Sequence, residues 1–245
     1  MQLPFELEQL SQAKNYQKWI YHAVEPYLGK RILELGAGIG NLSQWLPRRE
    51  LLVLSEADEM LLGLLQKRFQ SELLQNSHTV SVKKINLDIP LKNQLDEYHL
   101  DTIVSFNVME HIQNDIEAFR EQIETLKSSK TADPKRLVVF VPAHGFAFGS
   151  YDRLFQHYRR YDARQFKKIF QNLDPKLRVR TQYFNLLSLP AWVIKGRVFK
   201  DTQISPAQVR MLEKIIPLWA PIDNLIHQKL HLPLGQSLIG VVDGF

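Results

Sequence analysis

The densest chemistry in the sequence is the run Glu34-Leu-Gly-Ala-Gly-Ile-Gly40, with Asn41 directly after it. It grows out of the apolar run Arg31 to Leu35, so the loop leaves the end of a short strand. Glycines there let the backbone take positive φ and approach a ligand closely. A helix capped by Asn41 and running through Leu46 would add free N–H groups and positive potential, making the turn a cradle for a phosphate or nucleoside. Dinucleotide-binding loops place glycines first, third and sixth. Here they stand first, third and fifth, and the sixth position is Asn41, which argues against a nicotinamide site. Elsewhere, the groups able to move protons or hold anions are His111 and His144, each beyond an apolar strand, Tyr16, and the pair Arg159 and Arg160. No histidines and acids stand at metal-ligand spacing, so no metal is expected.

Alternating strands and helices must position these residues. Residues 5–28 read as one helix, with Leu7, Leu10, Trp19, Ile20 and Ala23 near the helical period and Gly29 as the stop. Strands follow at 31–35, 51–54, 80–85, 100–106 and 136–141, with helices at about 58–69, 112–126 and 162–170. Two-sided apolar strands in this rhythm mean a parallel sheet covered on both faces. The rhythm changes after a strand at 177–183. The segment Phe184 to Gly235 carries Pro190, Pro206, Pro217, Pro221 and Pro233, with amphipathic stretches between them, ahead of a last strand at 237–242. A structureless loop of that length inside a compact domain is uncommon, so the segment reads as helical. Residues 1–245 thus form one α/β domain with a doubly wound, mostly parallel seven-stranded sheet. An N-terminal helical cap covers 1–29, and a helical lid insertion covers 184–235, between the last two strands.

Composition narrows the function. A net charge of +5 over 245 residues is a weak field, and charge alone makes no case for nucleic acid. There is no cysteine, which excludes disulfides, Cys-based zinc sites, iron–sulfur ligation and a thiol nucleophile, and fits a cytoplasmic location. Glu6 and Glu8 precede no basic region or apolar run, unlike a secretory signal. The longest apolar stretch, Tyr183 to Ile194, is interrupted by Asn185, Ser188 and Pro190 and falls short of the ~20 residues that span a bilayer. Peripheral membrane contact stays open.

Glu34-x-Gly36-x-Gly38-x-Gly40 resembles the first motif of the class I, seven-stranded S-adenosylmethionine (SAM)-dependent methyltransferases, and the likeness continues along the chain. Leu51 to Met60 is similar to that family's second strand, which ends in an acid that holds the ribose diol. Glu56 stands about twenty residues beyond Gly36, where such an acid is expected. Asn86-Leu-Asp88-Ile89 resembles the segment whose Asp receives the adenine amino group while an apolar neighbour packs on the ring. Asp101 to His111 resembles the fourth strand and its turn. The likeness implies SAM as donor and S-adenosylhomocysteine as product. It places cofactor contacts at Glu34, Gly36, Ala37, Gly38, Gly40, Asn41, Glu56, Ala57, Asp88, Ile89 and Asn107. A finer resemblance is to a bacterial subgroup often encoded beside glycosyltransferases. It rests on Tyr16 and Trp19, on Asp152 with His157 to Tyr161, and on Pro233 to Ile239.

Each residue also has a plainer reading. Glu34 can brace its loop, Glu56 has a rival in Asp58, Asp88 can be a turn residue, and His111 can satisfy backbone groups at a helix start. Tyr16 and Trp19 share a helical face and fit core packing as well as a ligand. Arg159 and Arg160 can line a solvated face or fork onto an acceptor's phosphate or carboxylate. Methyl transfer is an in-line displacement, so the protein mainly aligns the reactants and excludes water. A base is needed when the acceptor is a hydroxyl. His111 is the first candidate, with Tyr16 and His144 behind it. Ser105 to Val108 lacks the Asn/Asp-Pro-Pro-aromatic motif expected for methylating nucleic-acid bases or glutamine. The expectation is therefore O-methylation of a small or lipid-linked acceptor held by Trp19, Arg159, Arg160 and Trp192, with no nucleic-acid partner. An NAD(P)-binding oxidoreductase and a non-catalytic scaffold on the same fold are the alternatives.

Overall fold

A computed structural model describes residues 5–75, 79–86, 89–201 and 205–245. Its centre is one seven-stranded sheet in the order β3-β2-β1-β4-β5-β7-β6. The strands are β1 (Arg31–Leu35), β2 (Leu51–Glu56), β3 (Val80–Lys84), β4 (Thr102–Phe106), β5 (Arg136–Pro142), β6 (Arg178–Phe184) and β7 (Ser237–Asp243). All share one direction except β7, which enters antiparallel between β5 and β6.

Alternation along the buried strands sorts the core into two layers. Leu33, Leu35, Val53, Ile103, Leu137 and Val139 face one side and meet Phe119 and Ile123 of α6 (Asp115–Ser128) and Phe166 and Phe170 of α8 (Ala163–Leu173). Ile32, Leu52, Leu54, Val104, Val138 and Phe140 face the other, against α2 (Lys14–Val24), α3 (Glu59–Arg68) and α10 (Pro206–Leu225). Glu34, two residues beyond Ile32, shares its face and so enters this second layer, as a carboxyl among apolar side chains. Glycine is required at 240, where a Cβ would lie 2.2 Å from the Phe166 ring. The short helices α4 (Gln70–Gln75), α5 (Leu91–Leu95) and α7 (Ser150–Leu154) fill the crossovers.

Two local expectations need correction. The single helix over 5–28 is α1 (Phe5–Gln12) and α2, broken at Ala13, whose ψ of 62° is not helical. The buried Gln17 side chain fills the break by bonding the Leu10 carbonyl. The helix after Asn41 does not form. The chain makes tight turns instead, with Gly40 N–H on Ala37 O, Trp45 on Leu42 and Leu46 on Ser43 at 2.9–3.2 Å. Gly40 at φ 80° and Pro47 leave too little room for a helix.

The insertion does contain helices: α9 (Ser188–Val193) and α10, each running on into a wider π turn. Pro217 and Pro221 lie inside α10 without ending it. Its inner face packs Ile216 and Trp219 toward α2, where Glu213 accepts the N–H groups of Asn15 and Tyr16 at 2.8 and 3.0 Å. Its outer face leaves Met211, Leu218, Ile222 and Leu225 49–78% exposed. Among the described residues, no helix is long and apolar enough to cross a membrane.

At the opposite edge from the glycine loop, the buried Asp101 carboxylate ties β1 to β4. It accepts from the Lys30 and Arg31 N–H groups at 2.8 and 2.9 Å and from the Thr102 hydroxyl at 2.7 Å. Asp101→Ala leaves those donors buried and unpaired, at about 1–3 kcal/mol each. We expect urea unfolding to show a loss of about 3 kcal/mol with an unchanged m-value.

Candidate active site

The loops beyond β1, β2 and β4 meet at one edge of the sheet. Gly36, Gly38 and Gly40 have φ of 70°, 58° and 80°, a left-handed backbone that costs other residues strain. The loop hangs from β2: Ala37 N–H donates to Ser55 O at 2.7 Å, and Gly38 N–H to Glu56 Oε2 at 2.8 Å. Gly36 also abuts the turn beyond β4, since a Cβ there would lie 2.7 Å from Val108 Cγ2.

The two acids after β2 have separate tasks. Asp58 caps α3, accepting the Met60 and Leu61 N–H groups at 2.9 and 3.0 Å. Glu56 holds the glycine loop and accepts from Ala57 and Asp58 N–H at 2.8 and 3.0 Å. Those bonds leave part of its acceptor capacity for a ligand hydroxyl. Glu34 is buried below the loop, and its Oε2 has no hydrogen-bond partner. Burial pushes its pKa up to about 8, and Ser43, Arg48 and Arg68 offset this only in part. Asn41 caps no helix. Its amide donates to Leu7 O at 2.9 Å and so draws α1 over the loop, with the Leu7 side chain against Gly38. Asn107, at φ 52°, and the exposed Ile89 flank the same edge. Asp88 lies outside the described residues.

His111 follows Val108 within one turn, its N–H bonded to the Val108 carbonyl at 3.0 Å. The segment 157–161 crosses this turn. Tyr158 N–H donates to Glu110 O at 2.8 Å, and the Tyr161 hydroxyl donates to Asp115 at 2.7 Å. The His111 and His157 rings lie 4.6 Å apart, edge to face. His111 is exposed on its outer side, but desolvation of the rest of the ring, then the neighbouring His157, lowers its pKa to about 4, so it is neutral at physiological pH. Asp152 is buried, and that alone would raise its pKa. Hydrogen bonds from His157 at 3.0 Å and Arg160 at 2.7 Å, with the arginine's charge, bring it below the usual range.

The other sequence candidates are engaged in structure. His144 uses both ring nitrogens, Nε2 accepting from Gly235 N–H at 3.4 Å and Nδ1 facing Asp162 at 3.2 Å, and it stacks on Tyr183. Trp19 is buried 4.2 Å from Phe184, its indole N–H on Asn224, so packing closes that face. Tyr16 lies beside both rings. Arg159 is bonded to Asp115 and to the Gln113 carbonyl. Arg160 is buried under Trp192, its guanidinium 4.9 Å from the ring. Trp192 brings α9 over Tyr151 and Phe155, so the front of the insertion packs on α7 and on Arg160. Sequence reasoning missed one assembly. Glu110, His111 and His157 present ligand atoms within 4.8 Å of one another, a set that can hold a cation, contrary to the expectation from spacing. The Glu-His pair and the His-Tyr-Arg-Arg-Tyr stretch were the available signals.

A family profile described as a methyltransferase domain matches residues 10–177. None of the curated proteins matches the sequence. Among solved structures, the chain is similar to the methyltransferase domain of bacterial CtHen1-C at 14% identity and TM-score 0.56, covering 94% of this chain and 97% of that one. It is similar to the YcgJ protein of Bacillus subtilis at 14% identity and TM-score 0.56, covering 92% and 96%. A SAM-dependent methyltransferase from Mesorhizobium loti gives 11% identity and TM-score 0.56, covering 92% and 97%. At such identities these likenesses speak to the fold, and the sheet order with its antiparallel β7 is theirs. The profile covers most of the chain, glycine loop and β4 turn included, and this protein belongs to the class I SAM-dependent methyltransferase domain family.

Proposed function

We propose that the chain transfers the sulfonium methyl group of SAM to a hydroxyl oxygen of a small or lipid-linked acceptor. The observation that carries this reading is the contact of Val108 with Gly36 and its bond to His111, which set the polar cluster one turn from the cofactor loop. In this reading the loop residues Gly36, Ala37, Gly38, Gly40 and Asn41 cradle the cofactor. Glu56 with Ala57 takes the ribose, Asp88 and Ile89 take the adenine, and Asn107 lines the crevice. Glu34 supplies negative charge beneath the sulfonium. As the acceptor oxygen bonds to the methyl carbon, the C–S bond breaks and sulfur keeps the electron pair. His111, neutral and at the crevice, accepts the hydrogen bond of the acceptor hydroxyl.

The insertion favours a lipid-linked acceptor at an anionic bilayer surface. The exposed stripe Met211, Leu218, Ile222 and Leu225 lies on one face of α10, with Val198 and Phe199 exposed beside α9. Acids of the insertion turn inward: Glu213 to α2, and Asp223 to the Asn185 and Leu186 N–H groups. Arg197, Lys200, Arg210, Lys214 and Lys229 face outward. An apolar stripe edged by cations suits binding in the headgroup region.

Three measurements test this reading. Glu56→Ala should weaken S-adenosylhomocysteine binding at least tenfold in calorimetry, at ~1.5–3 kcal/mol per charge-assisted bond. Asp58→Ala should leave affinity alone and cost about 1 kcal/mol of stability as a lost cap. Equal effects on binding would reverse the assignment.

Affinity for SAM should also follow Glu34. Its folded pKa, about 8, exceeds the ordinary glutamate value of 4.5. The folded free protein therefore holds the proton across that window and loses stability as pH rises from 4.5 to 8. A bound cation favours the ionised form, so SAM binding releases a proton there and tightens by up to about tenfold per pH unit. Glu34→Gln should flatten both profiles. A wild-type affinity independent of pH between 5 and 8 would remove Glu34 from the site.

Finally, sedimentation with vesicles rich in phosphatidylglycerol should capture the protein, with much less capture on phosphatidylcholine alone. Leu218→Glu with Ile222→Glu should abolish capture without lowering SAM affinity. Capture unaffected by the double change would refute the membrane face.

A further inference from the structure

Glu110, His111 and His157 come together from separate segments, and their ligand-bearing atoms all lie within 4.8 Å of one another. Glu110 and His157 are buried, while His111 is exposed on its outer side. The bonding of His157 defines its tautomer. Its Nδ1 faces the Asp152 carboxylate at 3.0 Å and donates to it, which leaves the lone pair on Nε2. That Nε2 is buried with no hydrogen-bond partner. Folded proteins rarely leave such an atom unsatisfied. Asp152 is itself fixed by Gly149 N–H at 2.8 Å and Arg160 Nε at 2.7 Å. A carboxylate behind an imidazole in this way orients the ring and raises its basicity as a metal ligand.

The geometry points to a mononuclear site for a divalent first-row transition ion, held by the Glu110 carboxylate and one ring nitrogen each from His111 and His157. Two imidazoles with one carboxylate suit Zn²⁺, Fe²⁺ or Co²⁺, whereas Mg²⁺ and Ca²⁺ favour all-oxygen sets. Three protein ligands leave a coordination position open. Arg160 is paired with Asp152 and bonded to the Ala143 carbonyl at 3.0 Å, and the Glu110 carboxylate brings negative charge to the ion.

The ion would supply what the histidines alone do not. On the methyl-transfer reading above, which this extension needs only for the ion's purpose, His111 gives its lone pair to the ion, and the open position takes the acceptor's hydroxyl oxygen in place of that hydrogen bond. Its proton passes to solvent as the oxygen binds the ion. The oxygen then forms its bond to the methyl carbon while the C–S bond breaks and sulfur keeps the pair. Neither metal binding nor its test depends on the cofactor.

Metal-free protein, prepared with a chelator and dialysed, is titrated with Co²⁺, whose visible d–d absorption reports coordination by nitrogen and oxygen. Bound Zn²⁺ is counted in parallel by elemental analysis. The site predicts a single ion per chain, and binding weakened at least about tenfold by His111→Ala and by Glu110→Gln. Asp152→Asn should weaken it about 10–100-fold through His157, and His22→Ala, an exposed side chain on α2, should change nothing. Should His157→Ala lose its cooperative melt, the exposed His111→Ala decides. S-adenosylhomocysteine binding, followed by calorimetry on the same samples, separates failure of the metal site from failure of the cofactor reading. No d–d spectrum in the wild type, or Co²⁺ affinity unchanged from wild type in both His111→Ala and Glu110→Gln, overturns the site.

Discussion

Val108 fills the space that any side chain at position 36 would need. This contact is the constraint on which the active edge rests. β1 and β4 are hydrogen-bonded neighbours, with Leu35 level with Ser105, so the loops that leave them start in fixed register. The glycine at 36 lets those loops close on each other, and the turn from Val108 to His111 then sets how far His111 stands from the glycine loop. In an in-line displacement, errors of about 1 Å cost rate heavily. Here that distance is set by core strands, and the flexible surface has no part in it.

Two buried carboxylates hold the 157–161 segment against the β4 turn. Asp152 gathers His157, Arg160 and the start of α7. Asp115, in the first turn of α6, receives the Tyr161 hydroxyl and Arg159, where the helix dipole favours negative charge. Each is a charge withdrawn from water, tolerable because donors surround it and damaging if one partner is lost. The arginines of the His-Tyr-Arg-Arg-Tyr stretch therefore work as fasteners for the histidine between them and the β4 turn.

Much of this was legible in the sequence, and the exceptions have physical reasons. Core strands announce themselves because they are apolar on both faces, and the glycine loop because its backbone excludes other residues. Asp58 and Glu56 look alike in sequence, and only the cap geometry separates them. The helix after Asn41 failed because local pattern carries no sign that Gly40 would turn left-handed and that Asn41 would bond α1 instead. Trp19 read as a ligand contact, since an amphipathic pattern gives the face of a residue and not what it meets. The Glu110, His111 and His157 set was missed for a simpler reason: spacing rules describe ligands on one element, and His157 joins the Glu110–His111 turn only through the fold.

The insertion has an uncommon pair of anchor points. It leaves β6 at Phe184 and returns to β7 at Ser237, and those two residues face each other in adjacent strands. Its ends are thus already together before the segment folds. Closing a loop grows costlier only slowly with length, by about 0.6 kcal/mol per doubling. A shorter or longer segment could be spliced between the same two strands at little entropic cost, provided it still covers α2 and α7. The architecture keeps the glycine loop and the histidine cluster with the parallel core, and leaves the insertion as a cassette that can be exchanged on its own.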